Sequence, residues 1–181
     1  MEKGVNVWKA NLTNGLILGL IGIIYTLIMY FLDLYFNPVQ GYVFIGLLVI
    51  LVYFLLKTYR DNFLHGYMTY GQAIGAGMVM FLYYAIIIAI FIYILYTVID
   101  ADLMNKQLAF GEEKMMQKGL PQAQIDAGMA MQSKLAKPAI MAPVTILGTM
   151  FQGLLISLVV GIFVRKEGNP LIDSRETMNP I

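Results

Sequence analysis

The sequence has no cysteine and a single histidine, and these two scarcities limit the chemistry it can perform. Without cysteine there is no disulfide, no thiolate metal site and no cysteine nucleophile. His65 stands alone, whereas a catalytic triad or a zinc site needs further partners of the right kind. The chain also lacks a Gly-rich phosphate loop followed by Lys-Ser/Thr, an HExxH motif and a GxSxG motif. We therefore expect a protein that is not an enzyme and that uses no metal or cofactor.

Charge is scarce as well. Asp, Glu, Lys and Arg make up 13% of the 181 residues, whereas a soluble domain carries about 25%. The formal net charge is only +1, so the balance of charges gives no indication of nucleic-acid binding. Hydrophobic residues account for 59% of the chain. This composition is typical of a membrane protein.

The hydrophobic residues are concentrated in four uncharged runs, at 10–32, 39–56, 67–99 and 138–164. About 20 apolar helical residues cross a bilayer core roughly 30 Å thick, so each run can form one membrane span. We predict an all-α, polytopic membrane protein built as a four-transmembrane-helix bundle. Its membrane domain would cover residues 1–166, and a polar cytoplasmic tail would follow at 167–181. The predicted spans are 10–34, 39–57, 72–99 and 140–164.

Basic residues flank the runs unevenly, and such residues are enriched on the cytoplasmic side of a membrane. The first connection, 33–38, has none, and the five lysines of the third connection, 100–137, are balanced by five acidic residues. An arrangement with both termini in the cytoplasm places the remaining basic flanks inside. These flanks contain Lys3, Lys9, Lys57, Arg60, Arg165 and Lys166.

The outer segment 100–137 has helical periodicity on both sides of Gly119 and Pro121. A glycine fits the end of one helix and a proline fits the first turn of the next. We predict an extramembrane amphipathic helical hairpin between spans three and four. The alternative is a mobile polar loop, although a structureless loop of this length is uncommon in a compact domain. The two stripes are Leu103, Gln107/Leu108, Gly111 and Met115, and then Ile125, Met129, Gln132 and Leu135/Ala136.

Small residues recur inside the spans, where helices must approach closely in order to associate in lipid. We expect these residues to pack the helices of this bundle, and the alternative is that one such face forms a homodimer. The candidate helix-packing residues are Gly15, Gly19, Gly71, Gly75, Gly153 and Gly161.

Few polar side chains fall near the middle of the predicted spans, and their polar atoms cannot face hydrocarbon without a cost of several kcal/mol. We expect an intramembrane polar cluster that shares hydrogen bonds and acts as structural glue, formed by Tyr25, Tyr83, Tyr84 and Gln152. A second candidate site is an outer acidic patch at the span ends. It contains Asp33, Asp100 and Asp102, which are either ordinary boundary residues or a surface for a cation or a basic partner.

Four pieces of the sequence, in this order, resemble a known family: NGLILG at 14–19, KTYRD at 57–61, GYMTYGQA at 66–73 and KGLPQAQI at 118–125. The family is catalogued as domain of unknown function forty-one ninety-nine and comprises small inner-membrane proteins of Bacteroidota bacteria. The resemblance covers the chain up to Lys166 and departs from the family pattern at His65 and Pro121. It implies a four-span fold in a bacterial inner membrane, and it implies neither an activity nor any functional residue.

These observations lead us to expect a non-enzymatic accessory or scaffold subunit of a membrane complex. The alternative is a small oligomeric transporter or channel, which an intramembrane charge lining a cavity would indicate, and the runs contain no such charge. The expected partners are the lipid bilayer and either further copies of the chain or a larger membrane-protein complex, with no nucleic acid.

Overall fold

The computed structural model describes residues 6–167, apart from the side chains of 138 and 139. The predicted tail at 167–181 therefore lies, except for Glu167, outside the described residues. Within 6–167 the chain forms six helices, and α3 continues into a π-helical turn at Leu95–Ile99. The helices are α1 (Val7–Phe31), α2 (Pro38–Phe63), α3 (Tyr70–Ile94), α4 (Leu103–Gln117), α5 (Gln122–Leu135) and α6 (Pro138–Val164).

Four of these helices contain segments long and apolar enough to cross a membrane, namely Val7–Phe31, Pro38–Phe63, Tyr70–Ile99 and Ile140–Val164. The chain is therefore a multi-pass membrane protein, as predicted. The first helix lies closer to the N-terminus than the predicted 10–34, and the second extends beyond 57 to Phe63. These bounds differ because a helix ends where its backbone groups no longer find hydrogen-bond partners within the helix. That position can lie before or after the point where the hydropathy of the sequence changes.

Local capping explains where three of the spans begin. The Asn6 side chain accepts hydrogen bonds from the backbone of Trp8 and Lys9 at the start of α1. The Asn37 side chain caps α2 by accepting from Val39. At the start of α3, the Thr69 hydroxyl accepts from the backbone of Gln72, and the Gln72 side chain accepts from the backbone of Thr69. This reciprocal pair is a capping box.

The four spans contact one another in the closed order α1, α3, α6, α2, so they form a four-helix bundle. The most extensive helix interfaces are those that α3 makes with α1 and α6. α3 also contributes the largest share of the buried side chains. Phe81 and Met80 of α3 are fully buried, together with Leu18, Leu48 and Leu56 of the neighbouring helices. The position of α3 therefore determines how the other spans are arranged.

One end of the bundle is closed by backbone contacts. Met68, just before α3, and Lys166, just after α6, exchange two backbone hydrogen bonds of 2.8 and 2.9 Å. The Arg60 side chain near the end of α2 donates to the Val164 carbonyl at 2.9 Å. This contact satisfies one of the free carbonyl groups at the C-terminus of α6.

At the other end of the bundle, α4 and α5, which connect α3 to α6 along the chain, pack against each other. Residues 103–135 are called the α4–α5 pair below. Gly119 connects the two helices with a φ of +69°, a conformation that favours glycine. Gly111 of α4 lies against Gln132 of α5, and Gly128 of α5 lies against Met115 of α4. Because the partner in α5 moves back from Gln132 to Gly128 as the position in α4 advances from Gly111 to Met115, the two helices run antiparallel.

Candidate functional site

Polar side chains meet where α3 ends and α4 begins. The Asp100 carboxylate accepts hydrogen bonds from the Tyr30 hydroxyl of α1 at 3.1 Å and from Nζ of Lys106 on α4 at 3.0 Å. The Lys106 ammonium is the main reason why the pKa of Asp100 lies below its usual value, and Asp100 in turn raises the pKa of Lys106. Asp100 therefore joins α1, α3 and α4 at one point.

A second set of polar contacts lies beside it. The Tyr35 hydroxyl, in the connection between α1 and α2, is 3.1 Å from the Tyr96 hydroxyl on the π-helical turn. Tyr96 also donates to Oε1 of Gln107 on α4. Burial raises the pKa of Tyr35, because the phenolate would be poorly solvated there. Stacking of the Phe36 ring on the Phe110 ring, with centroids 5.5 Å apart, adds an apolar contact between the connection and α4.

A cavity of about 630 Å³ lies between α3, the first half of α6 and the α4–α5 pair. This volume is within the range of roughly 300–1,000 Å³ that is common for small-molecule sites. The described residues that line it are all uncharged. They are Tyr35, Tyr84, Ile88, Ile92, Tyr96, Met104, Gln107, Leu108, Phe110, Gly111, Gln132, Leu135, Ala136, Met141, Val144, Thr145 and Thr149.

α3 and α6 are in close contact along the second half of α6, and the cavity lies beside the first half. Gly161 lies against Tyr70, Gly153 against Phe81, and Ser157 against Gly77. These small residues all belong to the second half of α6. In the first half of α6, Met141, Val144, Thr145 and Thr149 line the cavity together with residues of α3 and of the α4–α5 pair.

Several polar groups in the cavity have hydrogen-bonding capacity to spare. Gln107 accepts from Tyr96 through Oε1, which leaves its amide nitrogen as a donor. Among the hydrogen bonds between described residues, none involves the side-chain amide of Gln132 or the hydroxyls of Tyr84, Thr145 and Thr149. The cavity can therefore both donate hydrogen bonds to a bound molecule and accept them from it.

The predicted polar cluster of Tyr25, Tyr83, Tyr84 and Gln152 does not form. The Tyr25 hydroxyl donates to the Gln40 carbonyl at 2.7 Å, and the Tyr83 hydroxyl donates to the Trp8 carbonyl at 3.4 Å. Tyr84 lies against Gly22 and faces the cavity, and Gln152 is half-buried without a hydrogen bond to the other three in the described part of the chain.

Helix geometry explains this result. Consecutive residues of a helix point about 100° apart, so Tyr83 and Tyr84 cannot share one face. Tyr25 lies near the opposite end of α1 from Trp8, the partner of Tyr83, and each of the two hydroxyls finds a backbone carbonyl close by.

Four of the six predicted helix-packing glycines lie against side chains of α3. Gly15 faces Tyr83, Gly19 faces Ile87, Gly153 faces Phe81 and Gly161 faces Tyr70. Gly71 and Gly75 were expected to behave in the same way, but a β-carbon at either would meet no described atom within 4 Å. Both are exposed in the first turns of α3, and Gly75 borders a cavity there instead of a close helix contact.

The predicted acidic patch is not purely acidic. Asp33 and Asp100 border one cavity of about 320 Å³, but Lys106 borders it too and is paired with Asp100. Asp102 instead accepts a hydrogen bond from Asn105 at 3.0 Å. Among residues 6–167, no three His, Cys, Asp or Glu side chains come together in a group that could hold a metal ion.

Sequence reasoning does not single out the residues that meet at the large cavity, chiefly Tyr35, Tyr96, Gln107 and Gln132. The available signal is weak. Gln107 and Gln132 interrupt the apolar stripes of their helices, which indicates a polar environment on the buried side. Tyr35 and Tyr96 resemble the aromatic residues that commonly lie at membrane interfaces, so nothing in the sequence distinguishes them.

Comparison with known proteins gives one result. No curated protein and no solved structure matches the chain. The model of a family described as "Protein of unknown function (DUF4199)" matches residues 13–166. The match extends from the second turn of α1 to the Met68–Lys166 bridge and so includes all four spans and the α4–α5 pair. The chain therefore belongs to the DUF4199 family, as the four sequence pieces indicated.

Proposed function

We propose that this chain is a non-enzymatic accessory or scaffold subunit of a membrane-protein complex, and that the α4–α5 pair is its recognition surface. The observation that carries the proposal is how firmly the pair is attached to the span ends. Asp100 binds Lys106, Tyr96 binds Gln107, and Phe36 stacks on Phe110. A surface that is already held in place loses little conformational entropy when a partner binds it.

The chemistry of the pair also supports recognition of another protein. Large apolar side chains are exposed on it, although the pair also carries exposed charges at Lys118, Asp126 and Lys134. Exposed apolar groups outside a membrane often mark interaction surfaces, and methionine adapts well to varied partners. The exposed apolar side chains are Met116, Leu120, Met131 and Leu135.

In this proposal the pair is an extramembrane hairpin, and the chain lies in a bacterial inner membrane with both termini in the cytoplasm. The supporting observation is that basic residues outnumber acidic ones at the end of the bundle opposite to the pair, whereas the five lysines of 100–137 are balanced by five acidic residues. Lys57 and Arg60 end α2 there, and Arg165 and Lys166 follow α6. Such residues are enriched on the cytoplasmic side.

The distribution of charge favours a subunit over the alternative, a small oligomeric transporter or channel. Within the four described spans, the Asp, Glu, Lys, Arg and His residues are Lys9, Lys57, Arg60 and Asp61, and all lie in the first or last turns of their helices. A transport pathway is usually marked by such groups facing a cavity inside the membrane.

The test is purification of the full-length chain from its own membranes in a gentle detergent, followed by quantitative mass spectrometry. We expect a reproducible assembly with one or more other membrane proteins. The double variant Met116→Glu/Met131→Glu should lose these partners, because it places charges in the proposed contact. The matched control is Gln124→Glu, an exposed position on α5 that is not apolar.

The control should retain the partners at the wild-type level. Recovery of a homo-oligomer alone would favour the transporter or channel, and recovery of a monomer alone would contradict both proposals. Equal loss of partners in the double variant and the control would show that the α4–α5 pair is not the recognition surface.

A further inference from the structure

We propose that the large cavity between α3, α6 and the α4–α5 pair binds an uncharged amphiphilic lipid of the diacylglycerol type. Its polar head would lie beneath α4 and its tail would lie between the spans. Apart from Leu135, the residues of this site differ from those of the exposed surface of the pair, and the site does not depend on the scaffold role. The argument rests on how polarity and charge are distributed along the lining.

At the α4 end of the lining, polar side chains lie beside the apolar Met104, Leu108 and Phe110, and along the spans hydroxyl groups alternate with aliphatic side chains. Tyr35 and Tyr96 lie at the end nearest α4, together with the side chains of Gln107 and Gln132. The amide nitrogen of Gln107 can donate, and the amide of Gln132 can donate and accept. A head that carries a hydroxyl group can satisfy both kinds of partner.

Two hydroxyls on α6 fit the next part of such a lipid. Thr145 and Thr149 face the cavity about one to two helical turns deeper than Met141. In a diacylglycerol the ester carbonyls follow directly after the head, and they accept hydrogen bonds. Ile88, Ile92 and Val144 lie at about the level of Thr145 and provide apolar contact for a chain.

The absence of charge in the described lining selects against a phosphate-bearing head. Lys106, Lys114 and Lys137 adjoin lining residues in sequence or lie on the same helix, but none of them lines the cavity. Nζ of Lys106 is bound to the Asp100 carboxylate at 3.0 Å, and Nζ of Lys114 lies 5.3 Å from the centre of the Phe110 ring. A phosphate placed in this cavity would have no cation to pair with, and burying an unpaired charge is costly.

The size and the partial opening of the cavity agree with a lipid of which only a part is enclosed. The cavity volume of about 630 Å³ accommodates a head and part of one chain, and the cavity is partly open. The remaining chain can therefore stay in the surrounding lipid, so the whole molecule does not have to be enclosed.

The experiment uses the purified full-length chain in phosphatidylethanolamine vesicles that contain a photoreactive diacylglycerol. A photoreactive phosphatidic acid with the same chains is the comparison, since it differs only in its charged head. We expect the diacylglycerol to label the chain several-fold more strongly, with crosslinks in α4 and in the first half of α6. Equal labelling by the two probes would mean contact with ordinary surrounding lipid, and it would overturn the proposal.

Two variants with matched controls locate the site. Thr145→Trp fills the cavity and should reduce diacylglycerol labelling several-fold. Leu147→Trp adds the same ring at a residue of the same helix that is 70% exposed, and it should leave the labelling unchanged. Gln132→Leu conserves the approximate volume but removes the head contact, and Gln124→Leu is its exposed control. Thermal melting identifies a variant that fails to fold. Folded Thr145→Trp and Gln132→Leu variants that both retain wild-type labelling would overturn the proposal.

Discussion

The hydroxyl of Tyr35 lies 3.1 Å from the hydroxyl of Tyr96, although 61 positions separate the two residues in the chain. This contact brings the connection between α1 and α2 to the π-helical end of α3. The Tyr96 hydroxyl also donates a hydrogen bond to the side chain of Gln107 on α4. Three parts of the chain are thereby joined at the polar end of the cavity, and α4 is held in its position by residues far away in sequence.

Replacement of Tyr96 with Phe should loosen α4. The change removes the hydroxyl that bonds Tyr35 and Gln107, and hydrogen bonds between membrane helices contribute about 0.6–2 kcal/mol. We expect a loss of stability in this range and faster hydrogen exchange in residues 103–117. Tyr93→Phe is the control, because the Tyr93 hydroxyl has no hydrogen bond among the described residues and its side chain is 46% exposed. The same effect in both variants would contradict this account.

The Asp100–Lys106 pair should make stability depend on acidity. The pKa of Asp100 is lower in the folded protein than its ordinary value of 3.8, chiefly because Lys106 donates to it, so the unfolded state binds the proton more readily. The contribution is therefore fully present well above about pH 4 and is lost as the pH falls through the lowered pKa. We expect the melting temperature of Asp100→Asn to change less over this acidic window than that of the wild type.

The control for this measurement is Asp126→Asn on α5, which removes a carboxylate that accepts from Gln122 rather than from a lysine. It should retain the acid sensitivity of the wild type. If Asp100→Asn and the wild type melt with the same pH dependence, the pair does not contribute as described.

A β-carbon at Gly153 should separate α3 from α6. It would collide with the Phe81 ring, and overpacking of a close contact destabilises a protein by about 1–3 kcal/mol. Gly148→Ala, on the same helix, meets no described atom within 4 Å and should be neutral, or stabilising by up to about 1 kcal/mol through helix propensity. Denaturant titration of the two variants provides the comparison. Equal stabilities would mean that the close approach at Gly153 is unimportant.

The proposed orientation predicts the activity of reporter fusions. A phosphatase that is active only outside the cytoplasm should be active when fused at Gly119, in the turn of the α4–α5 pair. It should be silent when fused after Ile181, at the C-terminus. A green fluorescent protein that folds only in the cytoplasm should give the opposite pattern at the two sites. Activity of the phosphatase at the C-terminus would reverse the assignment.

Local signals in the sequence predict a large part of the fold. Run length and hydropathy predict all four spans, and Gly119 with Pro121 marks the turn between α4 and α5. These features depend on a few neighbouring residues, so a single stretch of sequence is enough to recognise them. The bounds of α1 and α2 are less predictable, because their helices do not stop where the apolar runs stop.

The candidate sites are predicted less well, because they depend on which residues face each other across the bundle. Gly15 and Gly153 do lie at close helix contacts, whereas Gly71 and Gly75 do not. A glycine permits close approach, but its neighbours in sequence do not reveal whether another helix is there. The position of a residue along a predicted span likewise does not show which group it will contact. Tyr25, for example, donates a hydrogen bond to the Gln40 carbonyl.

The sequence by itself determined that four helices cross the membrane, since in lipid each segment must satisfy its own backbone hydrogen bonds. This requirement applies to each apolar run separately, so it can be met and recognised without knowledge of the partners. Only the tertiary structure decided that Asp100 meets Lys106, that Tyr96 meets Tyr35 and Gln107, and that a cavity remains beside α6. These outcomes depend on how each helix is rotated about its axis and on where small residues let two helices approach.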